Sequence, residues 1–161
     1  MIEPALRVVH IAVKPDRIIA QVEVVDERCA YTTSALIKSL LPDYPHLLEH
    51  ACVNDRGDTF AAVASSTSTP HLLEHMAIEN QVRLEGERAQ MGGDVFAPGV
   101  TYMGKTQWEN RARRRARVEL SYADDLVALQ ALRDAARDLN KAIALLDARG
   151  SLPASRGKTM Q

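Results

Sequence analysis

The chain has 161 residues, 46% of them hydrophobic and 25% charged, with a formal net charge of −1. That length suits one domain of ordinary size, and that balance supplies a packed core and excludes general disorder. A charge so near zero argues against nucleic acid as a partner. No apolar run approaches a membrane span, and no basic and apolar secretion signal opens the chain.

Aromatic residues make up only 4%, so the core must be built from Val, Ile, Leu and Ala. The two cysteines, Cys29 and Cys52, are too few for a disulfide framework. The expectation is a reduced, cytoplasmic protein in which Cys52 is free to bind metal or to pack as a small hydrophobe.

In chain order, "LRVVHIAVK" (6–14) is rich in β-branched residues and stops at Pro15-Asp16, which predicts a strand. "RIIAQVEVVD" (17–26) predicts a second, and the short link between them predicts a hairpin. "TTSALIKSLLPDY" opens on N-cap residues, has apolar residues at helical spacing and stops near Pro42, which predicts a helix. "HACV" and "TFAAVA" flank a turn at 54–58 and read as two short strands.

"SSTSTP" then predicts a helix start with Thr69 as N-cap and Pro70 at the first helical position. That helix is expected to end at Gly86, followed by a glycine-rich loop, "QMGGDVFAPG". "VTYMGKT" and "RARVELSYA" read as strands. The last element is a long helix from Asp124 to the Arg149-Gly150 stop, with Leu126, Leu129, Leu132, Ala136, Leu139, Ile143 and Leu146 as its apolar stripe. The expected order is β-β-α-β-β-α-β-β-α. This predicts a single-domain α+β fold over 1–150, with a largely antiparallel sheet and about three helices packed on it. Positions 151–161 read as a loose tail.

Two stretches share the letters PHLLEH, "PHLLEHACVND" from Pro45 and "PHLLEHMAIEN" from Pro70. Each contains His-x-x-Glu-His. In the second copy, helical spacing places His71 and His75 one turn apart on the same face, with Glu74 beside them and Glu79 a turn further on. Two imidazoles four residues apart can hold zinc, or another divalent transition metal, and a carboxylate next to them can take a proton from water. In the first copy Pro42 and Pro45 leave little room for a helix. Its contribution is expected from the pair at its end, His50-x-Cys52, with Cys52 or Glu79 as the third metal ligand.

These residues resemble the amino-terminal domain of cyanophycin synthetases. That domain has an L-P-x-L-x-E-H-x-C stretch, then H-x-x-E-H-x-A-x-E-x-Q with a glycine soon after. The matching positions are Leu48 or its neighbour Leu47, Glu49, His50 and Cys52, then His71, Glu74, His75, Ala77, Glu79, Gln81 and Gly86. Downstream, Gly104-Lys105-Thr106, "VELSYADD" and the Ala-rich helix follow the family pattern, so the resemblance spans most of 40–147.

The resemblance implies a polymer-handling module that in some members cuts the polymer as a metal-dependent hydrolase. His71 and His75 fall on its metal-binding histidines, Glu74 on its general base, Cys52 on its paired cysteine and Glu79 on a supporting or ligating glutamate. Within the 161 residues there is no ATP-grasp or Mur-ligase-like module. The arginine-rich "WENRARRRARVEL" suits an acidic or carboxylate-bearing substrate.

Together with the resemblance, the sequence points to a zinc-dependent hydrolase of an amide or peptide bond in a cyanophycin-like or amino-acid-conjugate substrate. The catalytic candidate is Glu74, the metal candidates are His71, His75, Cys52 and Glu79, and the substrate-binding candidates are His50 and Lys105. The expected partner is a small peptide or amino-acid polymer, with neither nucleic acid nor membrane. A non-catalytic peptide-binding module, an accessory subunit of a ligase and a homo-oligomer stay open as alternatives.

Overall fold

The computed structural model describes residues 3–92 and 101–154. Four strands form one antiparallel sheet in the order β1-β2-β4-β3, where β1 is Leu6–Val13, β2 Arg17–Val24, β3 Gly104–Asn110 and β4 Arg115–Ser121. Among the described residues three α-helices accompany it: α1 Ser34–Leu40, α2 Thr69–Gln90 and α3 Asp125–Ala148. The expected α+β architecture with an antiparallel sheet is what the chain adopts. No helix among the described residues is long and apolar enough to cross a membrane.

Alternation decides which face of the sheet is covered. Along β2, Ile18, Ala20, Val22 and Val24 are buried, and along β4 so are Ala116, Val118 and Leu120. Their neighbours Arg17, Gln21, Glu23, Arg115, Arg117 and Glu119 lie on the opposite face, because side chains alternate across a strand. Ion pairs knit that second face, among them Arg17–Glu119 at 3.0 Å and Arg115–Glu23 at 3.1 Å. The helices cover the apolar face, with α2 and α3 packed on each other and on the sheet. Each fully buried leucine in this layer, such as Leu72, Leu132 or Leu139, contributes about 1.5–3 kcal/mol over an exposed one.

Buried polar groups fix how the layers dock. Asn80 of α2 donates to Tyr44 Oη and to the Ala131 carbonyl of α3, both at 3.1 Å. Tyr44 in turn donates to Asp138 at 2.7 Å. Asn140 of α3 closes a two-way bond with the main chain of Leu6, at 2.9 and 3.0 Å.

Several expected elements differ in detail. The β1–β2 hairpin forms as expected, closed by Lys14 N donating to Arg17 O. "HACV" and "TFAAVA" do not form strands. They share a single bridge, Ala51 to Thr59, after which the chain turns into a 3-10 helix, Phe60–Ala62. Asn54 donates to the carbonyls of both Cys52 and Thr59, which closes the turn. Phe60 is fully buried, and sinking that ring ends the ladder after one rung.

Helix α2 starts one residue earlier than expected. Ser68 is the N-cap, its hydroxyl accepting from His71 N. Thr69 instead donates to the Cys29 carbonyl at 2.7 Å. The helix also runs past Gly86 to Gln90. An exposed helical glycine costs about 1 kcal/mol, and the Arg83–Glu87 pair spanning it (3.1 Å) together with Arg88–Asp124 (2.7 Å) offset that cost. Gly92, at φ 76°, takes the left-handed position just past the helix, where glycine fits without strain.

Strand β3 is displaced relative to expectation. It begins at Gly104 and continues through the polar residues to Asn110. Positions 93–100, which include most of the glycine-rich loop and Val100, lie outside the described residues, as do positions 155–161 of the tail. In α3 the core stripe is rotated toward Val127, Ala128, Ala131, Ala135 and Ala142, while Leu126 stands 70% exposed.

Candidate metal centre in a cleft between α2 and β3

The first PHLLEH copy makes only a 3-10 turn, Leu47–Glu49, and His46 pairs with Glu49 at the surface. The second opens α2, so His71, Glu74 and His75 project from its first two turns. They face a cleft of ≈ 1210 Å³ between α2, the edge strand β3 and the segment around Cys52. One ligand atom from each of Cys52, His71 and His75 lies within 4.8 Å of the others.

His71 Nε2 and His75 Nε2 are 3.2 Å apart, and Cys52 Sγ is 3.5 Å from His71 Nε2. Tetrahedral zinc, with Zn–N near 2.05 Å and Zn–S near 2.3 Å, sets its nitrogens about 3.3 Å apart and sulfur and nitrogen about 3.6 Å apart. Those two spacings fit such a donor set, and the Cys52 and His75 donor atoms lie within 4.8 Å of each other.

The outer ring nitrogens have partners of their own. His71 Nδ1 is 2.8 Å from Thr67 Oγ1. His75 Nδ1 is 3.1 Å from His50 Nδ1, and His50 Nε2 is 3.3 Å from Glu79 Oε1. When each Nδ1–H donates outward, two Nε2 lone pairs face each other, an arrangement that a shared cation relieves. Phe60 stacks on His75 with ring centroids 4.2 Å apart and meets His71 edge-on. Burial, followed by repulsion from His71 and His50, pushes His75 down to about 3, and burial also lowers His71. Both rings are held as the neutral imidazoles that ligate metal.

Glu74 is 4% exposed, and its Oε1 lies 3.8 Å from His75 Nε2. Thr106 of β3 donates to Glu74 Oε2 at 2.5 Å. Burial raises the Glu74 carboxyl to about 7, against the opposing pull of the Thr106 hydroxyl. Gly104 passes so close that a Cβ there would stand 2.3 Å from Glu74 Oε1. The carboxylate is thus clamped between the helix that carries it and the edge of the sheet.

The structure brings Cys52, His71, His75 and Glu74 together. Glu79 stands apart from the three-residue group. Its oxygens form no well-aligned hydrogen bond, and its contact is with His50. His50 is not on the cleft wall and faces His75 and Glu79. Lys105 lines the cleft, on the opposite face of β3 from Gly104 and Thr106.

Sequence reasoning missed Thr67, Phe60, Gly104 and Thr106. The signal for the last two was present. In Gly104-Lys105-Thr106 a strand's period of two places the glycine and threonine, and not the lysine, on the face shared with Trp108. Comparison with protein-family models, with curated proteins and with solved structures finds no match for this chain.

Proposed function

We propose that the protein is a metal-dependent hydrolase of amide or peptide bonds, with zinc or a similar divalent ion held by Cys52, His71 and His75 and with Glu74 as general base. The observation that carries this reading is the spacing of the three inward donor atoms beside a buried carboxyl group in an open cleft. Three protein ligands leave a fourth position for water or substrate, the pattern of catalytic rather than structural zinc. A divalent ion in that site supplies Lewis acidity, making water more acidic and polarising a carbonyl.

The chain's own groups do the rest. Glu74, raised to about 7 by burial, accepts a proton from the attacking water as its oxygen bonds to the carbonyl carbon. When the C–N bond breaks, Glu74 delivers that proton to the leaving nitrogen, so amide and water become acid and amine. Thr106 and Gly104 fix the carboxyl group. Glu79 and His50 orient the His75 ring, and Thr67 orients His71.

The test joins metal analysis to mutation. The wild-type chain should bind about one zinc, and Cys52→Ser, His71→Ala and His75→Ala should each weaken that binding at least 100-fold. Glu74→Gln should keep the metal and abolish cleavage in a peptide-library screen. A wild-type chain that takes up no zinc, or a Glu74→Gln chain that cleaves as well as wild type, rules the proposal out.

A further inference from the structure

Among the described residues strand β3 is an edge strand, paired with β4 on one side alone. Ser121 N donates to Met103 O at 2.8 Å, which sets the phase of the ladder. Antiparallel residues alternate between pairs that exchange hydrogen bonds and pairs that do not. Lys105 and Gln107 therefore bond to β4, and the main-chain N–H and C=O groups of Gly104, Thr106 and Trp108 point to the free edge. Among the described residues nothing pairs with those groups. All three residues line the cleft, and the first two hold Glu74. Across the cleft runs the extended segment around Cys52, itself fixed by one bridge.

We infer that the substrate is an extended peptide segment that adds to β3 as a fifth strand, so that its main chain passes over Glu74 and the metal ligands. This deepens the proposed function and rests on it for the chemistry, although the pairing itself needs only the strand edge. A free, well-formed edge is a template for β-strand addition. The cleft, at ≈ 1210 Å³, exceeds the roughly 300–1,000 Å³ typical of small-ligand pockets.

The charges select the peptide. Lys105 and Arg111 line the cleft and have no carboxylate within ion-pair distance among the described residues. Of the four cleft acids, Asp16 pairs with Arg17 and Glu119 with Arg117, so Asp58 and Glu74 stand against Lys105 and Arg111. Lys105 on β3 and Arg111 just past its end flank any strand added there, so the preferred segment carries acidic side chains.

The test uses the full chain carrying Glu74→Gln to suppress turnover. The probe is a seven-residue peptide of alternating alanine and glutamate, followed by fluorescence polarisation and by NMR of backbone amides. The largest amide shifts are expected at Gly104, Thr106 and Trp108. N-methylating one alternate set of peptide amides should weaken binding about tenfold or more, and the other set less than about twofold, since only one set faces β3. An alanine–lysine peptide should bind at least tenfold more weakly.

Equal losses from both methylated sets, or shifts confined to the far face of the sheet, overturn strand addition. Equal binding of the lysine peptide overturns the preference for acidic segments. A zinc titration of the same sample separates the two proposals. Zinc uptake without peptide pairing sinks this inference alone, and pairing without zinc uptake sinks the hydrolase reading alone.

Discussion

Gly104→Ala tests the clamp on Glu74 most directly. An added Cβ would stand 2.3 Å from Glu74 Oε1 and 2.6 Å from its Cδ and Cγ. Carbon atoms do not approach so closely, so either β3 shifts or the carboxyl group swings away. Swinging away breaks the 2.5 Å bond from Thr106, and Glu74 is 4% exposed, so it has little room. Overpacking costs about 1–3 kcal/mol, and a buried polar group that loses its partner costs about 1–3 kcal/mol more.

The expected loss is about 3 kcal/mol, which lowers the melting temperature by roughly 6–12 °C for a chain of this size. Urea unfolding in metal-free buffer gives the number, and a double-mutant cycle identifies its source. In a Glu74→Ala background the clash is gone, and Gly104→Ala should then cost less than about 0.5 kcal/mol, the scale of an ordinary surface change. If Gly104→Ala costs the same in both backgrounds, its penalty lies in the backbone and the clamp does not exist.

His50→Ala removes the link between Glu79 and His75. Zinc affinity by calorimetry should fall roughly 10- to 100-fold, and an unchanged affinity would refute the supporting role. The two free thiols should differ in reactivity. Burial first, and Asp26 second, push Cys29 up to about 11, so iodoacetamide near neutral pH should label Cys52 and spare Cys29, with zinc protecting Cys52. Mass mapping that finds Cys29 modified in the native protein would contradict this. Asp124 caps α3 and accepts from Arg88 at 2.7 Å, which holds its carboxyl below the usual range. Asp124→Asn keeps a capping oxygen and loses the charge, so it should cost about 1 kcal/mol at pH 7. A depressed acid stabilises above its unfolded value and loses that stabilisation as pH falls through its folded value. The gap between variant and wild type should therefore close below about pH 4, and a gap that stays constant down to pH 3 would refute it.

The parts of this molecule legible in the sequence are those that local spacing controls. The β1–β2 hairpin follows from β-branched runs around Pro15, and the His71–Glu74–His75 face follows from the helical repeat behind Pro70. The proline-broken first copy follows from the limits proline places on a helix, and it indeed forms only a 3-10 turn. The features that stayed hidden depend on which segments meet in space. Phe60 sits in a run that reads as a strand by composition, and only its burial against His75 shows why the chain turns there instead. His50 looks like a substrate contact beside Cys52, yet the fold aims its ring at His75 and Glu79. Gly86 is the strongest stop signal in its region, but ion pairs across it carry α2 on for another turn.

The same logic explains why the candidate centre needs two different elements. A helix can align His71, His75 and Glu74 because residues three and four apart share a face, but it cannot also shield its own carboxylate from one side. Strand β3 supplies that shield. Gly104 has no side chain to push Glu74 away, and Thr106 holds one of its oxygens while the other stays near His75. Burial, against the smaller pull of the Thr106 hydroxyl, raises the carboxyl to about 7. A cation held by Cys52, His71 and His75, as proposed, would pull in the other direction, because opposite charge favours the carboxylate. In the proposed hydrolysis, Glu74 would need both influences to take a proton from water and return it to an amine near neutral pH. The sheet edge that supplies the first also offers, in Gly104, Thr106 and Trp108, the hydrogen-bonding row on which an extended chain would lie across that base.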